Sequence, residues 1–152
     1  MEAGARTYLA MILELAGRHA DAEREAIVAA EIAANVPPIR AQALATLARV
    51  RLSEQCHSAA LDAATEALQL LESIGGVDEG ESLIRLVYAE ALRACGQPRK
   101  AKRAIAAAHT RLLDRAKRIS RPAWRQSFLH RVPENARTLE LAQAWLDEQR
   151  VA

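Results

Sequence analysis

Three times in this chain a turn residue is followed, five, nine and twelve positions later, by small or aliphatic side chains. Gly17 leads to Ala22, Ala26 and Ala29; Gln55 leads to Ala60, Ala64 and Ala67; Gly96 leads to Ala101, Ile105 and Ala108. Steps of four and three keep each trio on one face of a helix. A face that small lets the helix approach its predecessor closely, and glycine at the turn supplies the left-handed conformation that ends the preceding helix. The turn residues are offset by 38 and then 41 positions. A chain with this constraint folds as a succession of closely packed helix pairs.

The punctuation agrees. Alanine, leucine, arginine and glutamate dominate, and these are strong helix formers. Helices are expected over about 5–16, 21–34, 39–53, 57–73, 81–95 and 99–119. The breaks fall at Gly17-Arg18-His19, Pro37-Pro38, Glu54-Gln55, the Gly75–Gly80 loop and Gly96-Gln97-Pro98. Pro37-Pro38 is expected to end the second helix. A short helix opens after Ser120-Arg121-Pro122, with Ser120 as its N-cap, and Val132-Pro133 precedes a last helix ending near Gln149. The fold class is all-α. Short turns imply antiparallel neighbours.

The matched turns and small residues resemble the tetratricopeptide repeat over about residues 3–119, with Ala22, Ala60 and Ala101 at its small-residue position. Two departures stand: only Tyr8 and Tyr88 are aromatic in the first helices of the pairs, and each unit exceeds the roughly 34 residues usual in the family. The resemblance implies a right-handed solenoid of about three antiparallel helix hairpins over residues 1–119, with capping helices over 120–152 in one continuous domain. An irregular helical bundle is the alternative. The tail looks like the C-terminal end of helical-repeat regions in large bacterial regulators that carry serine/threonine kinase or ATPase modules, so the chain reads as the end of such a protein or a stand-alone relative. Trp124, Phe128 and Trp145 are its natural covering residues, since an end repeat needs its apolar face closed.

Catalytic chemistry is not legible. The glycine-rich loop carries Asp78, Glu79 and Glu81 and lacks a phosphate-binding lysine. Glu54-x-x-His57 would place two ligands on one helical face, but a di-iron site needs a second such motif, which is missing. No cofactor or metal is expected, and no enzymatic activity. Cys56 and Cys95 lie near turns of neighbouring units. They read as small packing residues, with a redox pair as the other option. Two cysteines and no long apolar run point to a cytoplasmic home without a membrane span.

Charge is segregated. Residues 1–92 hold seven Arg against fourteen acids, a balance of −7; residues 93–131 hold twelve cations against Asp114, a balance of +11; residues 132–152 stand at −2. The basic patch comprises Arg99, Lys100, Lys102, Arg103, Arg111, Lys117 and Arg118. Much of it is expected to be local compensation, with Arg115 and Arg118 near Asp78, Glu79 and Glu81. Anion binding is the other reading of residues 93–131; base-specific nucleic-acid recognition is not expected, because interleaved aromatics are few. In the repeat family the first helices line a concave groove that holds a protein or peptide partner. Transferred by position, that groove would be lined by Thr7, Met11, Glu14 and Gln42 on the first two such helices. Arg49, Leu86, Glu90 and Arg93 would continue it. The function expected is a protein-binding scaffold within a bacterial regulatory or signalling protein. Meeting of acidic and basic regions between molecules, giving a homodimer, is a further option.

Overall fold

The structure, a computed structural model, describes residues 1–147. Its elements are α1 (Glu2–Leu15), α2 (His19–Ile32), α3 (Pro37–Ser53), α4 (His57–Ser73), α5 (Glu81–Ala94), α6 (Pro98–Lys117), α7 (Pro122–Arg131) and α8 (Pro133–Asp147). The described residues are all-helical, with no strand among them. The expected end of the last helix near Gln149 lies outside the described residues.

Prolines set where helices begin. Pro37 and Pro38 open α3 and do not close α2, which has already ended at Ile32. Pro98 likewise opens α6, Pro122 opens α7 and Pro133 opens α8. At the first helical position proline gives up no hydrogen bond and brings its φ preset. It also drives its predecessor out of the helical region. Hence Val36 stands at φ −128°, ψ 80° and Arg121 at φ −80°, ψ 120°. This displaces the expected Ser120 cap: Arg121 occupies the N-cap position of α7, and no side chain caps that helix.

Three turns are built alike. Gly17, Gln55 and Gly96 have φ of 74°, 61° and 70°. Each N–H reaches back three residues, to Glu14, Leu52 and Arg93, and the next N–H reaches back five, to Leu13, Arg51 and Leu92, at 2.8–3.1 Å. This is the Schellman closure, and it satisfies carbonyls left over at the helix end. Each turn delivers the following helix in the same phase. Of the nine small or aliphatic positions that follow, eight have no exposed surface and Ala108 has 5%.

Contacts follow the chain and then skip one. Each helix up to α6 touches its sequence neighbours; α1 also touches α3, and α3 also touches α5. α8 packs on α5 and α6, and α7 on α6 and α8. One apolar core runs through α1–α5, a second joins α5, α6 and α8, and a third joins α6 and α7. Trp145 is buried with Leu86, Leu92 and Ile105, and Phe128 is half-buried against Leu112 and Leu129. Asn135, buried at the start of α8, donates from Nδ2 to the Phe128 carbonyl at 2.8 Å and fixes α7 to α8. Trp124 is not a covering residue. It is 61% exposed, with the Arg121 guanidinium 4.5 Å from its ring centre.

Gln55 is the one described non-glycine residue at positive φ. An L side chain there costs about 1 kcal/mol or more, less the entropy that glycine loses on folding. Gln55→Gly should raise stability by about 0.5–1 kcal/mol, whereas Gly17→Ala at the equivalent turn should lower it by about 1 kcal/mol. Urea denaturation of the two variants checks both signs.

Candidate functional site

Register along the first helices follows from the turns. Counting back from Gly17, Gln55 and Gly96 makes Met11, Arg49 and Glu90 equivalent positions, and likewise Glu14, Leu52 and Arg93. These positions have equal phase on α1, α3 and α5. An open cleft of about 460 Å³ lies along this row, lined by Arg49, Leu52, His57, Glu90, Arg93, Arg137 and Trp145 among others.

A ladder of alternating charge crosses the helices at the cleft. Arg49 of α3 pairs with Glu14 of α1 at 2.7 Å, and Arg137 of α8 donates from Nε to Glu90 of α5 at 3.2 Å. Arg137 also meets Glu140 at 3.0 Å. The Arg93 guanidinium lies 5.2 Å from the Trp145 ring centre, a cation–π contact at the cleft wall. Burial raises the Glu90 carboxyl above the usual range; Arg137 and Arg49 offset this only in part. The cleft thus presents three guanidiniums, of which Arg49 and Arg137 are engaged by Glu14, Glu90 and Glu140, with an indole and a leucine as its apolar surface.

The groove positions drawn from the sequence separate into three groups. Arg49, Glu90 and Arg93 meet in the cleft, and Glu14 joins them through Arg49. Thr7 and Leu86 are buried, at 1% and 4% exposure, and present no surface to it. Met11, though equivalent in register to Arg49 and Glu90, is half-buried and does not line the cleft, and Gln42 lies instead against Gly80 on the loop before α5, 3.3 Å from where a Cβ would stand. His57, Arg137 and Trp145 were not drawn from the sequence. The first opens α4 and the others belong to the tail, whose placement against α5 no local pattern announces.

The basic residues do not form one patch. Arg111 is held by Glu81: Nε donates to Oε1 at 2.7 Å and Nη2 to Oε2 at 3.2 Å, while Arg85 Nε donates to Oε1 at 2.9 Å. Glu81 is 1% exposed. Burial would raise its carboxyl, but the Arg111 and Arg85 guanidiniums outweigh burial and hold it below the usual range. Arg115 donates to the Asp78 backbone carbonyl at 2.5 Å. Arg118 does not join the acidic loop; it is the exposed C-cap of α6. Arg99, Lys100 and Arg103 are exposed at the start of α6, where Arg99, Lys102 and Arg103 border a second cleft of about 720 Å³. Lys117, paired with Asp114 at 3.1 Å, and Arg118 stand at its other end, about 25 Å away at 1.5 Å per residue.

Glu54 and His57 do not share a helical face. The left-handed Gln55 separates them, with Glu54 closing α3 and His57 opening α4. No group of three His, Cys, Asp or Glu among the described residues is placed to hold a metal ion. Both cysteines are free. Cys95 is half-buried, with Sγ 3.2 Å from the His57 carbonyl, but Cys56 is exposed and is not a packing residue. No helix of the described residues is long and apolar enough to cross a membrane.

Buried Glu81 and half-buried Glu90 should respond oppositely to pH. Glu81 has a depressed pKa, so its stabilisation is present above the ordinary carboxylate range and is lost as pH falls through the folded value. Glu90 has a raised pKa, so folding is favoured by its protonation and weakened as pH rises through its folded value. Glu81→Gln should cost about 2 kcal/mol at neutral pH, with the difference shrinking in acid. Glu90→Gln should lose no stability at neutral pH and should flatten the profile. Urea midpoints measured across the acid range decide both.

Comparison with protein-family models, curated proteins and solved structures returned no match.

Proposed function

We propose that this chain is a protein-binding module, a right-handed solenoid of three tetratricopeptide-like helix hairpins with α7 and α8 as its cap. Its role is that of a scaffold in a bacterial regulatory or signalling protein. Three features support the architecture: the matching closures at Gly17, Gln55 and Gly96, the buried small residues after each, and contacts among α1–α6 that join only adjacent helices and the next but one. The observation that carries the function is the cleft across α3, α5 and α8. Arg49, Arg93 and Arg137 gather there beside the Trp145 ring and Leu52, with Glu14, Glu90 and Glu140 paired to Arg49 and Arg137. A peptide bringing an apolar anchor and acidic side chains matches this lining. The arginine heads supply charge-assisted hydrogen bonds, and the indole supplies contact area.

Selection of peptides from a displayed library against the purified chain tests this. Selected peptides should be acidic with an apolar anchor. Affinity should fall about tenfold or more in Arg49→Gln/Arg93→Gln, a loss of about 1.4 kcal/mol or more. Peptides of no common chemistry, or equal binding by a folded double variant, would count against the cleft.

A second reading rests on Arg99, Lys100 and Arg103, exposed beside the 720 Å³ cleft at the start of α6. Such a cluster takes polyanions without reading sequence. Heparin retention that falls steeply with salt, and falls again in Arg99→Ala/Arg103→Ala, is the expected result; no retention at low salt removes this reading.

A further inference from the structure

Between Asp114 and Glu134 the chain carries six arginines and lysines and no acid. The stretch takes in the end of α6, the linker and all of α7. Three of its cations are engaged within the molecule. Arg115 donates to the Asp78 carbonyl, Lys117 pairs with Asp114, and Arg125 donates from Nε and Nη2 to the Ile119 carbonyl at 3.1 and 2.8 Å. The other three, Arg118, Arg121 and Arg131, are exposed, and no carboxylate among the described residues pairs with them.

Trp124 stands among these three. The apolar side of α7, Phe128 and Leu129, packs into the third core, and Trp124 is not a member of it. Its indole is 61% exposed, with the Arg121 guanidinium over the ring. It lines an open cleft of about 500 Å³ with Gln126, Ser127, His130 and Arg131. The helix that presents it is anchored at both ends. Arg125 ties it to the linker through the Ile119 carbonyl, and Asn135 ties the Phe128 carbonyl to α8.

We propose that this face binds single-stranded nucleic acid without reading its sequence, one base stacking on Trp124 and neighbouring phosphates meeting Arg118, Arg121 and Arg131. A single strand brings both groups that the face is suited to take, repeated negative charge and flat unpaired rings. Every base has a π-face, so one indole stacks on any of them. Three other polyanionic partners fit less well. An anionic membrane takes up a helix by its apolar side, and that of α7 is already in the core. A duplex offers phosphates but keeps its bases stacked on one another. An acidic peptide with an apolar anchor needs a pocket for the anchor, and apart from Trp124 and Ala123 the lining here is polar. The site lies at the far end of α6 from Arg99 and Arg103, and it does not depend on the cleft at Arg49 and Glu90.

Fluorescence anisotropy of a labelled oligothymidylate of about twelve nucleotides, titrated with the full chain, tests the proposal. Affinity should rise as salt falls, with a log–log slope of about −2 for three phosphate contacts. An abasic oligomer carrying the same phosphates should bind about tenfold or more weakly, and Trp124→Ala should bring the oligothymidylate down to the abasic level. Arg118→Ala/Arg131→Ala should weaken both oligomers alike and flatten the slope to about −0.7. All three positions are exposed, so thermal melts of the variants should match the wild type. No binding at low salt overturns the proposal. So does equal affinity for the abasic oligomer, a Trp124→Ala variant that binds like the wild type, or a loss seen only in Arg99→Ala/Arg103→Ala. A duplex bound more tightly than the single strand, or anionic phospholipid vesicles or an acidic peptide bound in place of the oligomer, overturns it as well.

Discussion

The closeness of successive helices rests on side chains that end at Cβ. Ala22, Ala26, Ala29, Ala60, Ala64 and Ala67 leave no exposed surface. A methyl group in each of these places fills the space between backbones and nothing larger fits without displacing a helix. The third unit departs at Ile105, also fully buried, and there the neighbouring contacts come from Leu86, Leu92 and Trp145 on α5 and α8. Larger side chains appear where a new helix arrives from the tail. The alanine contacts thus decide both the spacing of the first two units and the point at which the packing changes character.

Charge then works on a framework already set by packing. Arginines bridge from one helix to the next throughout: Arg6 to Glu25, Arg51 to Glu23, Arg40 to Glu66, Arg49 to Glu14, Arg111 to Glu81 and Arg137 to Glu90. Most are partly exposed and each contributes little alone. Glu81 differs because it is buried, and both its oxygens are occupied by guanidiniums. It also explains the glycine at 76: a Cβ there would stand 3.1 Å from Arg111 Nη2 and 3.3 Å from Glu81 Oε2, at a φ of 113°.

Local features were legible where local physics decides. Glycine and proline placed the turns, and spacing of four and three found the buried faces. The meaning of proline was read one step too early, because Pro37 and Pro98 look like stops when taken with the residues before them and act as starts for those after. Glu81 reads as an ordinary acid in a first helical turn. Its burial depends on Arg111, thirty residues away, which periodicity cannot reach. Three of the residues that line the cleft were legible because Arg49, Glu90 and Arg93 share a register with the turns. Thr7 and Leu86 lie on the arc that packs inward, and Arg137 and Trp145 enter only through tertiary docking of α8. Trp124 shows the limit of composition: an aromatic side chain in a ten-residue helix need not find a surface to cover.

The second offset between turns exceeds the first by three residues, and the excess falls in the loop before α5. That loop carries Glu79, which accepts the Tyr8 hydroxyl across 71 positions of sequence. A linear array of units communicates only between adjacent members, and its ends come undone first. Here the loop before α5 holds α1 directly, although α1 and α5 share no contact among the described residues. Loosening of the N-terminal helix must therefore break a tie to a loop 71 residues along the chain.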